Sequence, residues 1–291
     1  MANSNNRSRR GSARRRPSYT TGAARRRNRR QLLVLFLFLG VILAGYAFSR
    51  CREQHINDVS VPGHYPDLER VTGAPASSVE KDYEGFRLSF NPQNKTPDWV
   101  AWELLGVETD GPFSRGNKFH QDREMLGCPD TKDYSNSGYD RGHLCPAADQ
   151  KWSSKAMSDC FYMTNMAPQV HELNAGAWKT LEEKERIWAQ RDSAIIIVAG
   201  PVYSAADNKR IGQAGVRVPG GFFKCLLAPY APQPRAIAFV YDNARCPGNM
   251  SSYACSVDEV EELTGFDFFS SLPDEIEDKV ESVYSFTEWN Q

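Results

Sequence analysis

Between Ser193 and Gly200 the chain runs Ala194-Ile195-Ile196-Ile197-Val198-Ala199, six apolar residues in succession, four of them β-branched. A strand with one wet face alternates apolar and polar side chains, so an unbroken run of this kind reads as a strand buried on both faces. Alternating segments at residues 86–90 and 99–105 read as an early hairpin, and residues 217–218, 222–227 and 236–241 as further strands. Helical periodicity is strongest from about residue 172 to 190, and two shorter helices are read at 256–263 and 274–283, both opened by capping residues. No internal repeat is present, and 41% apolar residues with 11% aromatics supply a sizeable core. One α+β domain of about 210 residues accounts for these elements.

The formal net charge of −1 hides a segregation, because residues 1–30 hold eleven arginines and no acidic side chain, while residues 31–291 carry 24 basic against 36 acidic residues, a balance of −12. Residues 31–48 are uncharged, and as a helix would extend about 27 Å, close to the thickness of a bilayer core. The positive-inside rule keeps the arginines cytoplasmic and exports the chain beyond Arg52. A single-pass signal anchor is expected, because no small-x-small cleavage site comes after the apolar run and the run is longer than in a cleaved signal. Secretion after cleavage and, from the Arg-rich and acid-poor leader, mitochondrial import are the alternatives. The expected organisation is an Arg-rich tail at 1–30, a membrane span at 31–48, a Pro- and Gly-containing linker at 49–78 and a folded domain at 79–291.

Of the seven cysteines, Cys51 lies at the edge of the span and the other six well beyond it, an even number that suits disulfides in an exported domain. Cys246 and Cys255, flanking Pro247-Gly248-Asn249, are the first expected pair. No pair has the CxxC spacing of a zinc site.

Chemistry concentrates in Asp140-Arg141-Gly142-His143-Leu144-Cys145-Pro146, with Asn174 some thirty residues later. Hydrolysis of a phosphodiester needs a base for water, a cation at the phosphate and a proton for the leaving oxygen. His143 suits the base, since a neutral imidazole is available near physiological pH, and Gly142 is expected to remove a side chain that would crowd the substrate. Only His120, His143 and His171 fall in the domain, which argues against a histidine cage for zinc. Magnesium takes hard oxygen ligands and keeps several waters, so the Asn174 amide oxygen and a substrate phosphate can hold it. On one continuous helix Glu182 would lie about 80° and Arg186 about 120° around from Asn174. Each residue also has a plain reading: a surface or capped histidine, an Asn174 N-cap, a Glu182–Arg186 surface pair, and Trp178, Leu181 and Trp188 as core. The joint pattern is what those separate readings leave unexplained.

That pattern covers Asp133-Tyr134, Ser137 to Leu144, Asn165-Met166-Ala167-Pro168-Gln169, Asn174, Trp178, Leu181-Glu182 and Arg186. It extends to Arg115 with Phe119 and Asp122, to Gly200-Pro201-Val202-Tyr203, and to Leu263 through Phe269. Over roughly residues 80–285 the chain resembles the DNA/RNA non-specific endonucleases of the ββα-metal (His-Me finger) group. The resemblance implies a central, largely antiparallel sheet with helices on both faces. It implies His143 as general base, Asn174 as the direct Mg2+ ligand, Glu182 as holder of metal-bound water, and Arg115, Arg141 and Arg186 as phosphate contacts. It further implies Mn2+ as a substitute, DNA and RNA substrates without strong sequence preference, and 5′-phosphate and 3′-hydroxyl products, and a homodimer stays open. Cys145, so near the base, is a candidate for a disulfide that fixes the loop. A catalytically inactive, membrane-tethered nucleic-acid binder and an RNA-restricted phosphodiesterase are the rival readings. The −12 balance disfavours long-range attraction of a polyanion, so binding is expected to be modest and steeply weakened by salt.

Overall fold

The computed structural model describes residues 67–291. Its strands in chain order are β1 (Val79–Tyr83), β2 (Phe86–Asn91), β3 (Thr96–Leu105), β4 (Asp140–His143), β5 (Met166–Gln169), β6 (Ala194–Val202), β7 (Arg210–Ile211), β8 (Val216–Arg217), β9 (Gly221–Ala228), β10 (Arg235–Asp242) and β11 (Ala254–Cys255). The α-helices are α1 (Ser154–Asp159), α2 (Lys179–Asp192), α3 (Val257–Thr264), α4 (Asp274–Glu281) and α5 (Phe286–Trp289). Seven strands form one sheet in the order β1-β2-β3-β6-β9-β10-β11, every neighbouring pair antiparallel. β4 with β5 and β7 with β8 form two small antiparallel ribbons.

The unbroken apolar run is the central strand β6, and its two faces divide as a period of two requires. Ile195, Ile197 and Ala199 enter one core with Leu181 and Trp188 of α2 and the β4–β5 region. Ile196 and Val198 enter the other, where Val257 and Val260 of α3, Val280 of α4 and Phe268, Phe269 and Leu272 cover the sheet. The molecule is therefore a mixed α and β structure of three layers around an antiparallel sheet.

Four elements depart from expectation. The helix expected from residue 172 to 190 is broken: Leu173–Trp178 is a wide, irregular turn with Gly176 at φ −109°, ψ −111°, and regular helix begins only at Lys179. The helix at 274 opens after Pro273 without a side-chain cap, whereas Ser256 and Glu259 do form a reciprocal capping box on α3. β1 escapes a pattern search because this edge strand, Val-Glu-Lys-Asp-Tyr, is mostly exposed and charged. The packed body also begins before residue 79, since Leu68 and Val71 are buried and Thr72 bridges Asp267.

The expected Cys246–Cys255 disulfide is corrected, and all six cysteines of the described residues are free thiols. Cys246 packs toward the core on the α2 side of the sheet and Cys255 toward the opposite core, so the two point into different layers despite their closeness in sequence. The tail, the span at 31–48 and most of the linker lie outside the described residues. Among the described residues no helix is long and apolar enough to cross a membrane.

Leu68→Ala is expected to destabilise the fold by about 2–4 kcal/mol, as for other fully buried leucines. Urea unfolding checks this; an unchanged midpoint would return residues 67–78 to the status of a tether.

Candidate active site

β4 pairs with β5 in register Asp140↔Gln169, Arg141↔Pro168, Gly142↔Ala167 and His143↔Met166, and the wide turn and α2 come directly after. The ribbon, the turn and the helix bring Arg141, His143, Asn174, Glu182 and Arg186 to the wall of one cleft of about 520 Å³, which Arg115 joins from the loop between β3 and β4. All six residues singled out from the sequence meet there.

His143 ends β4 and is 7% exposed. Its ring lies 5.3 Å from that of Phe119 and 5.0 Å, edge to face, from that of Phe161. Trp178 Nε1 donates to the His143 carbonyl at 3.3 Å, tying the histidine backbone to the turn that carries Asn174. Burial first, then the Arg115 charge, hold the imidazole down at about 3, so it is neutral across the physiological range. His143 Nε2 is buried without a hydrogen-bond partner among the described residues.

The loop after His143 is fixed by Asn165 in place of a disulfide. Its Oδ1 accepts from Cys145 N at 2.9 Å, and its Nδ2 donates to the carbonyls of Cys145 and Cys160 at 2.8 and 2.9 Å. Gly142 serves the ribbon and not the substrate: a Cβ there would lie 2.5 Å from Gln169 Oε1 and 2.7 Å from Gln169 Cβ. Strand pairing, with Gln169 packed over the glycine, is what excludes a side chain at this position.

Asn174 sits in the wide turn, where the 100° helical spacing to Glu182 does not apply. Its Nδ2 donates to Asp140 Oδ2 at 2.9 Å, and His171 Nδ1 lies 2.8 Å from the same oxygen. With the nitrogen held by a carboxylate, the amide oxygen accepts no hydrogen bond among the described residues and is the end left for a cation. The donor set fits a hard divalent ion, since Asn174 offers an amide oxygen and Glu182 a carboxylate in the same cleft. Asp140 thus fixes the orientation of the Asn174 amide, a contact the motif alone does not disclose.

Charge beneath the cleft is organised by groups that sequence reasoning passed over. Arg186 Nη1 donates to Asp149 Oδ1 at 2.8 Å, and Asp149 Oδ2 accepts from Trp102 Nε1 at 3.2 Å. Lys224 Nζ contacts Glu185 Oε2 at 2.8 Å with both side chains fully buried, and lies 4.7 Å from the Trp178 ring centre. Glu182 is pushed up to about 7, mainly by burial, with Lys224 opposing and Glu185 and Asp149 adding. A lone lysine inside Phe222-Phe223-Lys224-Cys225-Leu226-Leu227 was the available signal for Lys224. The default surface pairing of Glu182 with Arg186 is not formed; Arg186 pairs inward. Arg141 donates to the Thr131 carbonyl at 2.8 Å and stacks 5.2 Å from the Phe119 ring centre, whereas Arg115 is exposed, 5.9 Å from that of Phe161.

Comparison with known proteins shows the family. A family model described as DNA/RNA non-specific endonuclease matches residues 68–275, and the chain belongs to that family. It is 34% identical over 218 residues to a protein named mitochondrial nuclease EXOG from Danio rerio, covering 69% of this chain and 64% of that protein. It is 36% identical over 168 residues to mitochondrial endonuclease G from Bos taurus, covering 53% and 56%. A nuclease from Nostoc sp. is 32% identical over 215 residues, covering 68% and 75%. Among solved structures, a chain from the crystal structure of the EndoG/EndoGI complex superposes with TM-score 0.64 at 26% identity, covering 69% of this chain and 89% of that chain. The matched region spans less than two thirds of the length of these two mitochondrial relatives.

Two outcomes test the electrostatics. Lys224→Met leaves the Glu185 carboxylate buried and unpaired and is expected to cost about 3–5 kcal/mol, largely recovered in Lys224→Met/Glu185→Leu, as read by denaturant midpoints. His143 has a folded-state value below its unfolded one, so the unfolded chain takes up the proton first and stability falls with pH below about 6.5. Between pH 7 and 5 the parent chain should therefore lose about 2 kcal/mol more stability than His143→Gln; parallel curves would show that the imidazole is not desolvated.

Proposed function

We propose that this chain is a metal-dependent, sugar-non-specific endonuclease that hydrolyses phosphodiester bonds of DNA and RNA to 5′-phosphate and 3′-hydroxyl ends. The observation that carries the reading is the convergence of a neutral, desolvated imidazole at His143 and an oriented amide oxygen at Asn174 on one cleft, in a chain of this family.

In this reading His143 accepts the proton of the attacking water, for which its neutral state leaves it ready. Asn174 would hold Mg2+, with Mn2+ as a substitute, through its amide oxygen, because Asp140 has taken the amide nitrogen. The bound cation would offset the negative charge that builds on the phosphate. Glu182 would orient water beside the cation. Arg115 approaches the phosphate from the exposed side, and Arg141 and Arg186, each anchored by one bond to the protein, present charge from fixed positions. No covalent intermediate is required. Inactive nucleic-acid binding is the weaker reading, since a binder has no use for a base beside a held amide oxygen.

For location, the uncharged run at 31–48 supports a membrane anchor with an exported domain. The mitochondrial names of several relatives favour the second reading, import directed by the arginine-rich leader. Fractionation of the expressed chain with protease protection separates the two.

Activity is tested by incubating the full chain, kept in mild detergent, with supercoiled plasmid and with RNA, with Mg2+ or with EDTA, beside His143→Ala. Cutting of both substrates with Mg2+, its loss in EDTA, and a fall of about 10²-fold or more in His143→Ala are expected. Binding without cutting by the parent chain would leave the inactive binder, and cutting of RNA alone would restrict the substrate.

A further inference from the structure

Across the sheet from the cleft, α3 and α4 pack together over the core that Val257, Val260 and Val280 help to fill. Asp258 and Glu261 are three residues apart on α3 and therefore neighbours on its surface. Glu281 closes α4, and one ligand oxygen from each of the three carboxylates lies within 4.8 Å of the others. Among the described residues none of the three is ion-paired with a lysine or arginine.

Proximity of acids alone would mean little, but Glu281 adds an independent observation. Its side chain is 5% exposed, and its Oε1 is buried without a hydrogen-bond partner. Buried polar atoms are normally satisfied, and leaving one bare is unfavourable. A proton shared with a neighbouring carboxylate would give that oxygen a partner, and none is there. The C-terminal end of a helix also repels negative charge and attracts positive. Burial first, then the carboxylates of Glu261, Glu277, Asp258 and Asp267, push Glu281 up to about 9, the mark of an acidic group lacking a counter-charge. Glu261 is held in place, its Oε1 accepting from Phe268 N at 2.8 Å.

We propose that Asp258, Glu261 and Glu281 form a Ca2+ site that clamps α3 to α4, separate from the catalytic cleft. Ligands that are all carboxylate oxygens, with room for water from the partly exposed Asp258 side, suit a hard cation of flexible coordination. Zinc, which prefers nitrogen and sulfur, fits poorly.

The test adds Ca2+ alone to the chelator-stripped full chain carrying Asn174→Ala, which removes the amide oxygen offered in the cleft, and tracks the melting temperature. Saturating Ca2+ should raise Tm by about 5 °C, and Glu281→Gln in the same background should reduce the rise to about 1 °C or less. Asp258→Asn, at a partly exposed position, should do the same without disturbing the core. With Asn174 intact, nuclease activity of Glu281→Gln in Mg2+ should stay within about twofold of the parent. No rise with Ca2+, or an equal rise in both carboxamide variants, overturns the site and leaves the reading of the cleft untouched.

Discussion

Burying both faces of β6 forces the molecule into three layers, and the layering decides where chemistry can sit. A sheet sealed on both sides offers no groove of its own, so reactive groups must lie on what covers it. On one face the cover is the β4–β5 ribbon, the turn after it and α2, and there the six candidate residues converge. On the other it is α3 and α4 with the phenylalanines between them, a layer with its own acidic cluster.

The cleft floor shows how interior charge is tolerated. Asp149 with Arg186 and Glu185 with Lys224 are paired at contact distance, with aromatic rings of Trp102 and Trp178 beside them. Desolvation makes each partner unsustainable alone, which ties the position of α2 to β9 and to the loop carrying Asp149. Among the described residues Glu182 stands above this floor without a hydrogen bond or ion pair of its own, and His143 stands between two phenylalanine rings. Lys224 with Glu185 is buried wholly beneath the cleft, whereas Arg186, Glu182 and His143 line it.

Much of this was legible because its causes are local. An apolar run marks a two-sided strand, alternating residues mark the β2–β3 hairpin, and Ser256 with Glu259 marks a helix start, all within a few residues. The site residues were legible as a set through a motif and its resemblance. What escaped depends on contacts distant in sequence or on single backbone angles. Gly176 breaks a periodic helix because backbone freedom there outweighs the pattern around it. Asp140 and Asn165 act through partners 34 and 20 residues away. Gly142 was assigned to the substrate side because a sequence does not say which neighbour fills the space beside a glycine. Cysteine parity suggested bridges, but parity carries no information about which side of a sheet each sulfur occupies.

The six unbridged thiols have a consequence for how this protein matures. Folding of residues 67–291 waits on no oxidant and no isomerase, so the same architecture is attainable on either side of a membrane, in reducing or oxidising surroundings. Redox conditions and the fold of residues 67–291 are thereby uncoupled.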